Sequence, residues 1–202
     1  MAGRPREFDR EDALRKAKML FWQRGYEGTS ISDLVEALGL ASARIYSAFG
    51  SKESLFRETI ELYLSEEGAF AQLAMQEPNT RLAIEKLLVN AVETYTQTDK
   101  PLGCMVVLSL TNYARDNEQI MAWLASYRQS RTQAIISRIN QGIELGDIPI
   151  NTNIQALGDY FATLLHGISI QARDGVSKAR LLAMVQIAMS TLDAFISSTS
   201  SR

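Results

Sequence analysis

The stretch ASARIYSAFGSKESLF (residues 41–56) decides the fold. It is a short run of small residues carrying one arginine, one tyrosine and one phenylalanine, which stops at Gly50-Ser51 and restarts at once. A core helix does not need the arginine, and a solvent helix does not need the aromatics. Working outward, Thr29-Ser30 followed by Asp33 makes an S-x-x-D capping box for a helix through Ile31, Leu34, Val35 and Leu38. Gly39-Leu40 then reads as a tight turn, and the opening stretch gives a third helix over about Ser42–Phe49. Ser51 caps a fourth helix bearing Leu55, Phe56, Ile60 and Tyr63. Further upstream, Asp9 caps a first helix over about Arg10–Arg24, with Ala13, Leu14, Ala17, Leu20 and Phe21 as its stripe and Gly25 at its end.

Two short helices joined by a glycine turn and locked through Leu34, Leu38, Leu40 and Ile45 make a helix-turn-helix. The outer face of its second helix is then free to enter a DNA major groove. Ala41, Ser42, Ala43, Ser47 and Ala48 are small enough for close approach, and Arg44 is the one long donor fork for guanine O6/N7. Tyr46 offers its hydroxyl to a phosphate, whereas Phe49 reads as core. Lys52 with the amides of the fourth helix start, and Thr29 with Ser30 at the start of the second, are placed to hold phosphates on either side.

Composition sets the surroundings. At 202 residues, 46% hydrophobic and 22% charged, the chain is an ordinary globular protein. Its net charge of −2 is uneven. Residues 1–57 hold ten Lys/Arg against eight Asp/Glu, a net of +2, and the remainder eleven against fifteen, a net of −4. The start, MAGRPREFDRED, is charged where a signal peptide is apolar, and no uninterrupted apolar run reaches the roughly 18–20 residues of a spanning helix. A cytoplasmic protein without a membrane partner is therefore expected, and a single cysteine, Cys104, fits a reducing compartment.

At this point the residues resemble a known family. GYEGTSISDLVEALGLASARIYSAFGSKESLF (25–56) is similar to the DNA-binding domain of TetR-family transcriptional regulators: a G-[FY]-x-x-T-[ST] entry, a turn glycine, a recognition helix ending in Y-x-x-F, and an S-K-E-x-L helix start. The likeness holds over about residues 8–63. Ala41 stands where a capping serine is common, Val35 where a small alanine is usual, and Ala43-Arg44 replaces a frequent Gly-Thr pair, which implies a different operator sequence on the same fold. The resemblance implies an all-α protein. Residues 1–51 form a three-helix DNA-binding head with a basic N-terminal arm, and residues 52–202 a helical effector-binding and dimerisation body. The expected function is a homodimeric repressor that a small-molecule effector releases from a near-palindromic double-stranded DNA operator. Control by a protein partner, or by redox or metal sensing at Cys104, is the alternative. In the arm, Arg4 and Arg6 of GRPR resemble a minor-groove binder and otherwise read as a basic tail.

Pro78, Pro101 and Pro149 separate apolar-periodic segments, and helices are expected over roughly 80–97, 102–115, 117–142, 153–172 and 177–197. The 102–115 segment is apolar nearly all round, which predicts a central helix. The last two helices are apolar on more than one face. Leu157, Phe161, Leu164 and Ile168 mark one stripe, with Tyr160 beside it. Leu181, Val185, Ala188, Leu192 and Phe195 mark another, and Leu182, Met189 and Ile196 a third. Two faces need two partners, the protein's own core and a second copy of the chain, so the homodimer is placed on these two helices; a deeply buried pair in a monomer is the alternative.

The body carries no H-E-x-x-H, C-x-x-C, P-loop or G-x-S-x-G motif, so neither an enzyme nor a cofactor or metal is expected. Candidate effector contacts are Cys104, Trp123, Tyr127, Phe161 and His166. Each has a plainer reading as a core or interface side chain. Arg128, Arg131 and Arg138 recur on one side of a long helix, either as a solvated face or as contacts for an anionic ligand.

Overall fold

The computed structural model describes residues 9–109 and 117–197, and every regular element among them is helical. The head begins with α1 (Arg10–Arg24), whose Asp9 cap accepts from the amides of Glu11 and Asp12. It continues with α2 (Ile31–Leu38), closed by the Ser30–Asp33 capping box, and α3 (Ser42–Phe49). The link between α2 and α3 needs Gly39, whose φ of 66° is left-handed and open to glycine at little cost. Ala41 gives α3 no side-chain cap, and Ser42 does not substitute for it. Ser51 does cap α4 (Lys52–Ser65), through the amide of Ser54.

Apolar spacing explains the head's packing. Leu34, Leu38, Ile45 and Phe49 face inward from α2 and α3. Phe21, Tyr26 and Phe56 form an aromatic cluster, Phe21 and Phe56 meeting edge to face at 5.1 Å. Through Phe56 and Leu55, α4 packs on α1, so the helix that opens the body is also part of the head's core.

In the body, α6 (Thr80–Tyr95) is the central element and packs against α5 (Phe70–Ala74), α8 (Glu118–Leu145), α9 (Ile154–Arg173) and α10 (Lys178–Ser197). Its buried set Ile84, Leu87, Leu88, Val92 and Tyr95 recurs at helical spacing, as a core helix requires. The five-residue α5 is too short to leave a periodic signal and was not expected.

One expectation fails locally. Among the described residues the predicted 102–115 helix is only α7 (Met105–Leu108), and residues 110–116 lie outside them. Pro101 and Gly103, with φ of 79°, delay its start. Gly103 is required there: a Cβ would lie 2.7 Å from the Ser169 carbonyl oxygen of α9. The position is central as expected, since Cys104, Met105 and Val106 are buried.

Both C-terminal helices bury an apolar stripe, and the further stripe expected on α10 is not exposed, since Met189 is buried and Leu182 and Ile196 are partly so. Leu181, Val185, Ala188 and Leu192 are buried, while Phe195, expected in the same stripe, is 39% exposed, and Ile187, outside every expected stripe, is 70% exposed. On α9, Tyr160 and Ile170 are exposed. By length and composition α10 is apolar enough to cross a membrane, with mean hydropathy 1.4 over an 18-residue window, although no uninterrupted run has that length. It packs against α6 and α9 as a core helix does, with apolar side chains left on its outer side.

Candidate nucleic-acid interface and body cavity

Helix α3 turns Ile45 and Phe49 inward and leaves Ala41, Ser42, Ala43, Arg44, Tyr46 and Ser47 exposed, Tyr46 at 47%. The outer face is therefore small, with one guanidinium and one phenol rising from it. Its orientation is fixed from behind by Arg10. That side chain donates from Nε to the Ala48 carbonyl at 3.3 Å, lies 4.5 Å over the Phe49 ring, and pairs with Glu58 at 2.8 Å. Nothing local in the sequence marks Arg10 for this, because its partners lie 38 and 48 residues away.

The flanking contacts need revision. Thr29 is fully buried, and its hydroxyl donates to the Gly25 carbonyl at 2.8 Å. Its side chain fixes the turn between α1 and α2 and cannot reach a phosphate. Ser30 is exposed, but its hydroxyl and amide both engage Asp33, at 2.5 and 2.7 Å. Those bonds, with Arg24 at 2.7 Å, hold the Asp33 carboxyl below its usual pKa, so an anion already occupies the start of α2. Lys52 is half-buried, with Nζ 4.2 Å above the Tyr26 ring. Burial lowers its pKa, while Glu27 and Asp33 pull the other way. Arg4 and Arg6 lie outside the described residues.

In the body, Cys104, Tyr127 and His166 come together around a small inner chamber of about 30 Å3, which Tyr95, Arg128 and Arg131 also line. Tyr127 and Arg131 are shared with a groove of about 350 Å3 between α5, α6 and α8, walled by Ala71, Met75, Leu87 and Ile135. Trp123 stands behind Tyr127, ring centroids 5.1 Å apart, with the Arg57 guanidinium of α4 4.5 Å above its ring. It supports the wall without lining it. Phe161 is fully buried and borders a separate apolar groove of about 280 Å3 between α9 and α10, so it does not belong with the others.

The arginine side of α8 is not a solvated face. Arg138 is 3% exposed and donates to Thr80 Oγ1 at 2.8 Å and the Glu77 carbonyl at 3.1 Å. Arg128 donates to the Val106 carbonyl at 3.1 Å, and burial lowers its pKa. Burial, then Arg128 and Arg131, lower that of His166, so the imidazole is neutral. Among the described residues no three His, Cys, Asp or Glu side chains converge on a possible metal position.

Head and body meet at the segment around α7. Trp22 Nε1 donates to the Gly103 carbonyl at 3.0 Å, and the Tyr26 amide to that of Ser109 at 3.3 Å. Buried Lys18 of α1 binds Glu66 at 2.6 Å and Glu67 at 2.8 Å, and Lys100 approaches Glu67 at 3.3 Å.

Comparison with known proteins agrees with this architecture. Residues 13–59 match the bacterial regulatory proteins of the tetR family. The chain is 35% identical over 192 residues to the HTH-type transcriptional repressor ComR of Escherichia coli K12, covering 94% of this chain and 90% of that one. It is 27% identical over 187 residues to the repressor BdcR of the same strain, covering 92% and 90%. A solved structure of a cysteine mutant of the regulator CifR, complexed with 26 bp double-strand operator DNA, superposes with a TM-score of 0.88 at 38% identity, covering 93% of this chain and 98% of that one. The chain belongs to the TetR family of bacterial regulatory proteins.

Proposed function

We propose that this protein is a homodimeric repressor that reads a near-palindromic operator with α3 and leaves it when a small-molecule effector fills the body. The observation that carries the reading is the exposed face of α3, where Ser42, Ala43 and Ser47 permit close approach and Arg44 supplies the base-reading fork. CifR, a similar protein over nearly the whole chain, has been solved on operator DNA. In this reading residues 1–51 are the head and 52–202 the body. Tyr46, Lys52 and the amides of α3 hold phosphates, the uncapped start at Ala41 leaving those amides to such a partner. Arg4 and Arg6 add minor-groove contacts.

The effector reading rests on the groove and chamber bounded by α5, α6 and α8, of a size suited to small ligands. Its wall at Cys104–Val107 is the same segment that holds Trp22 and Tyr26 of the head. A ligand that prefers a displaced wall would shift the two heads away from the spacing DNA requires, and only such a preference can do so. The second copy would cover the outer faces of α9 and α10.

Selection of bound fragments from random duplex DNA at near-physiological salt tests the reading. The expected result is a symmetric motif with half-site centres about 34–36 Å apart, or a multiple. Enrichment of an asymmetric motif, or of none with and without a metabolite extract, would refute it.

A further inference from the structure

The inner chamber is lined by two cationic side chains. Arg128 and Arg131 line it together, beside neutral His166, and among the described residues neither guanidinium has a carboxylate within 4.0 Å. Among the described residues Arg10, Arg15, Arg24, Arg57 and Arg81 each hold an acidic partner at 2.5–2.9 Å and deeply buried Arg138 has Asp147 at 4.0 Å, whereas Arg128, like Arg173, donates to a backbone carbonyl. Two like charges at a partly buried site without a counter-charge are costly, and an anion relieves that cost. Tyr95 also lines this chamber, its hydroxyl hydrogen-bonded with Cys104 and Arg131. Burial pushes its pKa well up, so it stays a neutral donor.

Size and shape narrow the class. Space of about 30 Å3 holds roughly two water-sized atoms, such as the two oxygens of a carboxylate. A planar guanidinium matches that group by paired hydrogen bonds. Leading away from it, past the shared Tyr127 and Arg131, the groove of about 350 Å3 is mainly apolar, with Ala71, Met75, Leu87, Ala134 and Ile135.

Resting on the effector reading of the body, we infer that the ligand is an amphipathic organic acid, its carboxylate between Arg128 and Arg131 and its apolar part in the groove between α5, α6 and α8. The head group offsets one of the two positive charges and bridges both guanidiniums, and the tail packs against α5. Cys104 and His166 form the far wall.

The test is calorimetric titration of the full-length protein with straight-chain carboxylates from butyrate to decanoate and with benzoate, each beside its neutral amide. The expected result is binding of at least one acid, roughly tenfold or more tighter than its amide. Arg131→Gln should abolish that preference with a melting temperature no lower than wild type, Arg128→Gln should abolish it as well while also losing its bond to the Val106 carbonyl, and Arg131→Lys should restore part of it. Equal binding of acid and amide, no binding of any acid at millimolar concentration, or a preference that survives Arg131→Gln would each overturn the inference. Operator-release assays separate this from the underlying reading. Release by a neutral compound but by no acid sinks the anion inference alone, whereas release by neither acids, amides nor a metabolite extract sinks the effector reading itself.

Discussion

The indole N–H of Trp22 donates to the carbonyl of Gly103 at 3.0 Å, which ties the last turn of α1 to the residue preceding Cys104 in the chamber wall. The bond is buried and crosses from head to body. Behind it, the Cys104 amide donates to Ser169 Oγ of α9 at 2.8 Å, so a displaced wall disturbs both domains at once. Trp22→Phe keeps the ring against Tyr63 but leaves the Gly103 oxygen unpaired. The expected cost is about 1–3 kcal/mol of stability. Operator affinity without effector should change little, while the ligand concentration needed for release should shift. Urea melts and release curves check both, and a variant with wild-type release would remove this bond from the coupling route.

Arg44→Ala is expected to relax base preference at one position in each half-site, losing about 1–3 kcal/mol of discrimination there. Lys52→Ala should instead weaken all sequences alike and reduce the salt dependence of binding. Because Lys52 also rests on the Tyr26 ring, a modest loss of stability should accompany it. A selected motif identical to wild type would exclude Arg44 from base reading, and an unchanged salt slope would exclude Lys52 from the phosphate set.

Lys18 is 4% exposed and its partner Glu67 nearly as buried, so their pair is a fixed joint between α1 and the start of the body. Lys18→Met leaves Glu67 with Lys100 alone, at 3.3 Å. Because Lys100 still faces Glu67, the expected loss is below about 3–5 kcal/mol, the cost of a buried charge left wholly unpaired. The double variant Lys18→Met with Glu67→Gln should recover much of it, because no buried charge is then unpaired. If the double variant is no more stable than the single one in urea, the charge argument fails.

His166 makes stability depend on pH in a defined window. Its folded pKa lies below the ordinary 6.5, so the unfolded chain binds the proton more readily. The stabilisation is complete above about pH 6.5 and is lost as pH falls through the lower folded value. Asp33, Glu66 and Asp193 are also held below their ordinary values, but their windows open only below 4.5. His166→Gln should flatten the dependence of unfolding free energy on pH between about 7 and 5. Equal slopes in variant and wild type would place the imidazole in solvent.

The head was legible because its signals are local: the S-x-x-D box at Ser30, Gly39 and the Ser51 cap each act within a few residues of chain. What escaped is set by distant contacts. The burial of Thr29, the brace from Arg10 to Ala48, and the placing of His166 with Arg128 and Arg131 at one chamber all need the folded arrangement to be visible. Helix α7 starts later than its apolar pattern because a backbone approach to Ser169 demanded Gly103 in a helix-breaking conformation. Phe161, a candidate effector contact by sequence, is fully buried and borders the groove between α9 and α10 instead of the chamber that His166 lines.

The outer faces of α9 and α10 provide the last expectation. Ile187 at 70% exposure and Ile170 at 45% stand on helices whose other sides are already buried, and the same two helices carry the groove lined by Leu157, Tyr160 and Phe195. Isolated apolar side chains are ordinary on a surface, but a run along two adjacent helices calls for cover. A second copy is the simplest cover, because a two-fold axis sets the same helices against each other. Ile187→Asp places a charge in that contact without touching the buried stripe of Leu181, Val185 and Leu192. Analytical ultracentrifugation should then show monomer at concentrations where wild type is a dimer, with helical content unchanged. Operator binding should weaken steeply, since each monomer reads one half-site alone. A variant that remains dimeric would move the interface elsewhere and leave this apolar surface for another partner.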